Sequence, residues 1–168
     1  MVQGLWPDTS RDKGTSSLYN SKDSYLPYTL GNLFMEQRGI QAYGYHNYIG
    51  AYYGREESHP NMGYSMKFAR DGMKFSNSWP SSDLEMMEQS VSDYVNQEQF
   101  HAYYMTFSGH YQYDFELNPM CRINKKAVQH LDYSETVKAY IACHLELEKA
   151  MAYLMEQLEA AGQLEETV

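Results

Sequence analysis

FHAYYMTFSGHYQY, Phe100 to Tyr113, is the stretch from which the fold is read. Phe100 to Phe107 is an aromatic and apolar run broken only by His101 and Thr106, and it stops at Ser108-Gly109. Such a run, bounded by a turn, predicts a strand buried on both faces at the centre of a sheet. His110 stands just past the turn. In an open parallel sheet, chemistry collects outside the carboxyl ends of the strands, so His110 is expected to line a site.

Working outward, Pro27 opens a predicted helix, PYTLGNLFMEQR, that Gly39 ends, with Leu30, Leu33 and Phe34 at helical spacing for packing on a sheet. Ile40 to Tyr45 reads as a short strand, and His46 follows it directly, repeating the arrangement at His110. The next loop carries Arg55, His59 and a turn at Pro60 to Gly63, and 64–75 holds at most one short strand. Ser82 and Glu85 have capping-box spacing for a helix running to about Val95, with Asp83 and Glu85 as acids favoured by the helix dipole. After His110 the reading is a long loop over 111–133. A long helix then runs from the Ser134 cap to Ala161, with Gly162 closing it. Its core-facing stripe is read as Val137, Tyr140, Ile141, His144, Leu147, Met151, Leu154 and Leu158. Thr167-Val168 looks like the first step of another strand. Helix and strand alternate, which implies an α/β fold with a mainly parallel sheet flanked by helices. The carboxyl ends of its strands then bring His46 and His110 to one rim.

The bulk composition narrows the function classes. At 168 residues the chain suits one domain, with 1–25 as an irregular, polar lead-in. A net charge of -9 with no basic face argues against a nucleic-acid partner. No apolar run approaches the roughly 20 residues of a membrane span, and the first residues lack the charge and apolar core of an export signal. The 2 cysteines, Cys121 and Cys143, match no zinc motif, and a free buried thiol is the ordinary reading of Cys143. The 17 tyrosines, several beside the histidines, suit an aromatic-lined cleft for a sugar or polyol as well as a plain core edge.

The blocks LPYTLGNLF, YGYHN with YYGREESHPNMGY, WPSSDLEMMEQSVSDYV, FHAYYMTFSGHYQY and LELEKAMAYLMEQLEAAGQLEETV occur in this order. Together they resemble the sulfatase-type extracellular domain of bacterial lipoteichoic acid synthase-like proteins, from about Tyr25 to the end. The resemblance implies a partial alkaline-phosphatase/sulfatase-like fold, with 26–168 an incomplete catalytic domain. It implies phosphoryl or sulfuryl transfer on an anionic ester, a phosphoglycerol lipid or a sulfate ester, at the extracytoplasmic face of the membrane. The parent enzyme would be membrane-anchored and would use a divalent metal (Mn, Mg or Zn) with a Thr or Ser nucleophile. By the match of their blocks, His46 and His110 fall on family histidines with catalytic and substrate-binding roles, and Arg55 and Tyr53 on substrate-binding positions. Some members carry Trp where Tyr53 stands, and Gly109 replaces an amide residue.

The chemistry asks for these residue types. A tetrahedral anion needs fixed donors, which a guanidinium supplies in pairs, and an imidazole can donate hydrogen bonds or move a proton. The nucleophile and metal ligands are expected outside the matched blocks, so no metal site is assigned within the chain and the segment alone is expected to have little turnover. Thr9, Ser10, Thr15 and Ser16 are nucleophile candidates only by residue type. Tyr48, Tyr52, Tyr111 and Tyr113 flank the expected rim. His144 and His101 are read as core histidines, His144 as a satisfied one, and His59 as part of its turn. The other function class is a non-catalytic module that binds polyol phosphates or sulfated glycans.

Overall fold

The computed structural model describes residues 21–168. The four nucleophile candidates and most of the expected lead-in therefore lie outside the described residues. The chain has the expected α/β architecture, a four-stranded all-parallel sheet flanked by helices. In chain order the elements are α1 (Leu30–Arg38), β1 (Ala42–His46), a short α2 (Arg55–Ser58), β2 (Tyr64–Ala69) and β3 (Gly72–Met73). They continue with α3 (Asp83–Ser90), β4 (His101–Met105), α4 (Pro119–Val128) and α5 (Glu135–Ala160).

The strands lie in the order β3-β2-β1-β4. The interior strands are therefore β2 and β1, and the Phe100 stretch forms β4 on an edge among the described residues, half-buried along its length. An aromatic run cannot tell an edge strand packed on both faces from a central one, because periodicity reports faces and not neighbours. The register aligns His46 with Phe68 on one side and Met105 on the other, so His46 is the last residue of its strand rather than the first after it. The segment 64–75 supplies two strands where one was expected.

Three apolar clusters hold the layers together. Tyr45, Met86, Met87, Val91, Tyr94, Ala150 and Leu158 pack one face of the sheet against α3 and α5. Ala42, Met62 and Tyr64 pack the other face under the 59–63 turn. Phe115, Met120, Cys121, Ala139, Ala142 and Cys143 form the seam between α4 and α5. Several tyrosines belong to the first cluster rather than to a cleft. Tyr45 donates to Asp93 at 2.9 Å, and the Tyr104 hydroxyl meets those of Ser90 and Tyr94 at 2.8 and 2.9 Å.

The helices depart from their expected faces for identifiable reasons. α1 begins three residues after Pro27 and buries Gly31 and Asn32, while Leu30 is exposed. Polar groups hold it: Asn32 donates to the carbonyls of Leu26 and Asn61, both at 2.8 Å, and Thr29 to those of Leu26 and Met62. A Cβ on Gly31 would stand 2.5 Å from the Met62 carbonyl oxygen, so only glycine permits that approach. α5 buries Ala139, Ala142, Cys143, Glu146, Ala150 and Leu158, whereas Val137, Tyr140 and Met151 of the expected stripe are exposed. Small side chains let α4 and α3 approach closely, and the large ones flank the seam. α4 lies in the stretch read as loop. Asn118 caps it by accepting from the N–H groups of Met120 and Cys121, with Pro119 at its first position. Thr167 is extended but pairs with no strand among the described residues.

Candidate functional site

His46 ends β1 with its imidazole buried. Its Nδ1 lies 2.8 Å from the Met105 carbonyl oxygen on the adjacent strand end. A carbonyl only accepts, so Nδ1 carries the proton and Nε2 holds a bare lone pair in the neutral ring. That Nε2 is buried without a hydrogen-bond partner among the described residues. Burial, with Arg55 and His59 adding like-charge repulsion against the pull of the Met105 carbonyl, lowers the His46 pKa to about 4. His59, equally buried, is also lowered to about 4, first by burial and then by Arg55. Its Nδ1 meets the Ser58 hydroxyl at 3.2 Å and its ring stacks on Tyr103 at 6.1 Å. His59 is thus more than a turn residue: it is packed beside the arginine.

Arg55 opens α2, the short helix after the strand. One guanidinium nitrogen donates to the Tyr52 carbonyl at 3.0 Å, and the group lies over the Tyr53 and Tyr52 rings at 5.1 and 5.8 Å. Its Nε is buried and unpartnered, and it forms no ion pair among the described residues. Burial lowers its pKa, opposed by the hydroxyls of Tyr103, Tyr53 and Tyr52. Tyr53 sits at φ 65°, a left-handed conformation unusual for a tyrosine.

His110 reaches the same rim through aromatic rings. It packs against Phe107 at 4.9 Å and Trp79 at 4.7 Å, and Phe107 in turn packs against His46 at 5.9 Å and Tyr48 at 5.0 Å. Tyr48 continues to Tyr52 at 5.5 Å. The rings of His46 and His110 thus both pack against Phe107, His46 at the carboxyl end of β1 and His110 past that of β4, and Tyr48 and Tyr52 carry the wall on to Arg55. A cleft of about 200 Å³ opens beside Trp79 and His110, with Tyr111 on its wall. Tyr113 lies farther back, edge-on to Tyr140 at 4.9 Å. His144 is not satisfied: its Nε2 is buried without a partner, and its ring packs on Tyr140 at 4.4 Å and on the backbone of Gly109. A Cβ at 109 would fall 2.7 Å from His144 Cε1, so a larger residue there would displace that ring.

Asp83, read from the sequence as a helix-start acid, and Asn118, inside the stretch read as loop, set this geometry. Asp83 is fully buried; its Oδ1 accepts from Asn47 Nδ2 at 2.8 Å and from the N–H groups of Phe107 and Ser108 at 2.8 and 3.2 Å. Its Oδ2 accepts from the Ser108 hydroxyl. One carboxylate therefore ties the residues after β1, after β4 and at the start of α3. Asn118, besides capping α4, donates to the carbonyls of His110 and Gln112 at 3.1 and 2.7 Å. No group of three or more His, Cys, Asp or Glu among the described residues could hold a metal ion. Among those residues, no helix is long and apolar enough to cross a membrane.

The arrangement can hold a tetrahedral anion, with a guanidinium that has no carboxylate partner among the described residues and two imidazoles along an aromatic wall. No family model matches the sequence, and no curated protein matches it. Among solved structures, the crystal structure of the lipoteichoic acid synthase LtaP from Listeria monocytogenes is similar, with a TM-score of 0.71 and 16% sequence identity. The match covers 96% of this chain and 39% of that one. The likeness is one of fold: a parallel α/β sheet flanked by helices, shared with part of a lipoteichoic acid synthase structure.

Proposed function

We propose that this chain supplies the anion-binding side of the active site of a phosphoryl- or sulfuryl-transfer enzyme of the lipoteichoic acid synthase-like kind. The observation that carries the reading is the buried, unpartnered Nε of Arg55 beside the equally unpartnered Nε2 of His46, at the carboxyl end of a parallel sheet. Buried polar groups are normally satisfied; an anionic ester entering the rim would accept directly from the Arg55 Nε–H, and from His46 Nε2 once that nitrogen takes up a proton. The fold likeness supports the same class of enzyme. The guanidinium then grips peripheral oxygens of the phosphate or sulfate group. His46, neutral at pH 7, takes a proton from the ligand or from solvent as negative charge arrives, and afterwards donates from Nε2. His110 packs on the same Phe107 wall, with Tyr53 beneath the arginine. The divalent cation that the resemblance implies has no ligand set among the described residues, and no step is routed through it. The substrate we favour is a polyol phosphate or sulfate ester acted on outside the cytoplasm.

Calorimetric titration of the chain with inorganic phosphate, sulfate and a polyol phosphate tests the grip. Arg55→Ala should weaken binding by roughly tenfold or more, the size of a lost charge-assisted pair. His46→Ala and His110→Ala should weaken it less. Unchanged affinity in all three variants would remove the site assignment. Binding that depends on all three, with no hydrolysis of chromogenic phosphate or sulfate esters by a longer polypeptide carrying a nucleophile, would favour the non-catalytic module.

A further inference from the structure

On the far side of Trp79 from His110 lies a second cleft, of about 480 Å³, at the carboxyl ends of β2 and β3. Its volume falls within the range of small-molecule sites. Tyr48 and Trp79, edge to face at 5.0 Å, form one wall. Arg70, Lys74, Asn77 and Ser78 also line it. No carboxylate lines it, although the chain carries a net charge of -9, and neither cation forms an ion pair among the described residues.

The backbone adds an independent observation. Arg70 has φ 69°; with Tyr53 it is one of two non-glycine residues in the left-handed region among those described. The turn that follows β2, in which the N–H of Arg70 donates to the Met73 carbonyl at 2.9 Å, needs that conformation but not that side chain. Glycine or asparagine would adopt it at lower cost. A long cation in a strained backbone position beside a cleft is where strain and ligand contact commonly coincide.

We infer that this cleft is a separate binding site for a sugar phosphate, with the sugar ring on Trp79 and Tyr48, its hydroxyls on Asn77 and Ser78, and the phosphate between Arg70 and Lys74. Aromatic faces suit the C–H face of a sugar ring, and paired cations suit a phosphate. This site goes beyond the Arg55 rim and does not require it. Titration of the isotope-labelled chain by NMR tests it, with glucose 1-phosphate, glucose and inorganic phosphate as probes, and with the Trp79 indole together with the Phe75 and Asn77 amides, which line this cleft and not the one beside His110, as reporters. Glucose 1-phosphate should bind roughly fivefold or more tightly than either fragment. R70G and K74A should each lose a similar factor, while R55A leaves this binding unchanged. R70G should at the same time raise Tm by about 3 °C, because glycine relaxes the turn, so weaker binding in a more stable protein cannot be read as misfolding. Wild-type affinity in both R70G and K74A, or no shift of these reporters, would overturn the site. Phosphate alone binding as tightly as the sugar phosphate would overturn the sugar assignment. Loss only in R55A would place the ligand at the rim and leave that reading standing.

Discussion

His46 and His59 are two imidazoles buried next to a guanidinium, and that placement has a thermodynamic sign. Both have pKa values lowered to about 4, whereas the unfolded chain takes up protons near the ordinary imidazole value of 6.5. Their contribution to stability is complete above pH 6.5 and is lost as pH falls from there through about 4, since the unfolded state binds the protons first. Each residue should cost up to roughly 3 kcal/mol across that window. Urea unfolding at pH 7 and pH 4.5 should therefore show a loss that shrinks in His59→Gln, and an equal loss in the variant would contradict the burial argument. Saturating phosphate at the rim should raise the His46 pKa, observable by NMR. At this scale, the position of His46 at a strand end and of Arg55 in the loop that follows was legible in the sequence, whereas the part that these two and His110 play is the proposal made above. Asp83 was only half legible. The Ser-Ser-Asp-x-Glu pattern announces a helix start, but nothing in it reveals that the carboxylate turns inward to collect hydrogen bonds from two strand ends.

Among the elements, α4 and α5 show where periodicity falls short. Cys143 and its neighbours bury small side chains, and apolar residues lie on both sides of that seam, so counting large residues drew the stripe one or two positions off the buried face. α4 was hidden because its polar, basic sequence carries few large apolar residues, yet Asn118-Pro119 is a start signal that could have been read. The same asparagine links the helix to the loop of His110. Asn118→Ala should destabilise the chain by about 1–2 kcal/mol through the lost cap and the freed carbonyls. It should also weaken phosphate binding in the manner of His110→Ala. A stability loss with unaltered phosphate affinity would show that the loop holds its shape without Asn118. Asp83 and Asn118 together explain how a rim built from loops is held fixed by the starts of two helices.

For the whole molecule, the sequence announced alternating strands and helices but not the neighbours of each strand, because strand order depends on crossovers that no local pattern records. With β1 between β2 and β4, amide exchange should be slowest in Tyr43 to Tyr45, whereas β4 amides that face away from β1 should exchange many times faster. Equal protection along both strands would mean that the outer edge is covered in solution, since exposed edges readily recruit a partner. The seat of His144 on Gly109 bears on assembly. The turn before His110 leaves no free space beside Gly109, so the His144 ring finds its seat there only when a rod of 26 residues, made later in the polypeptide, docks in register.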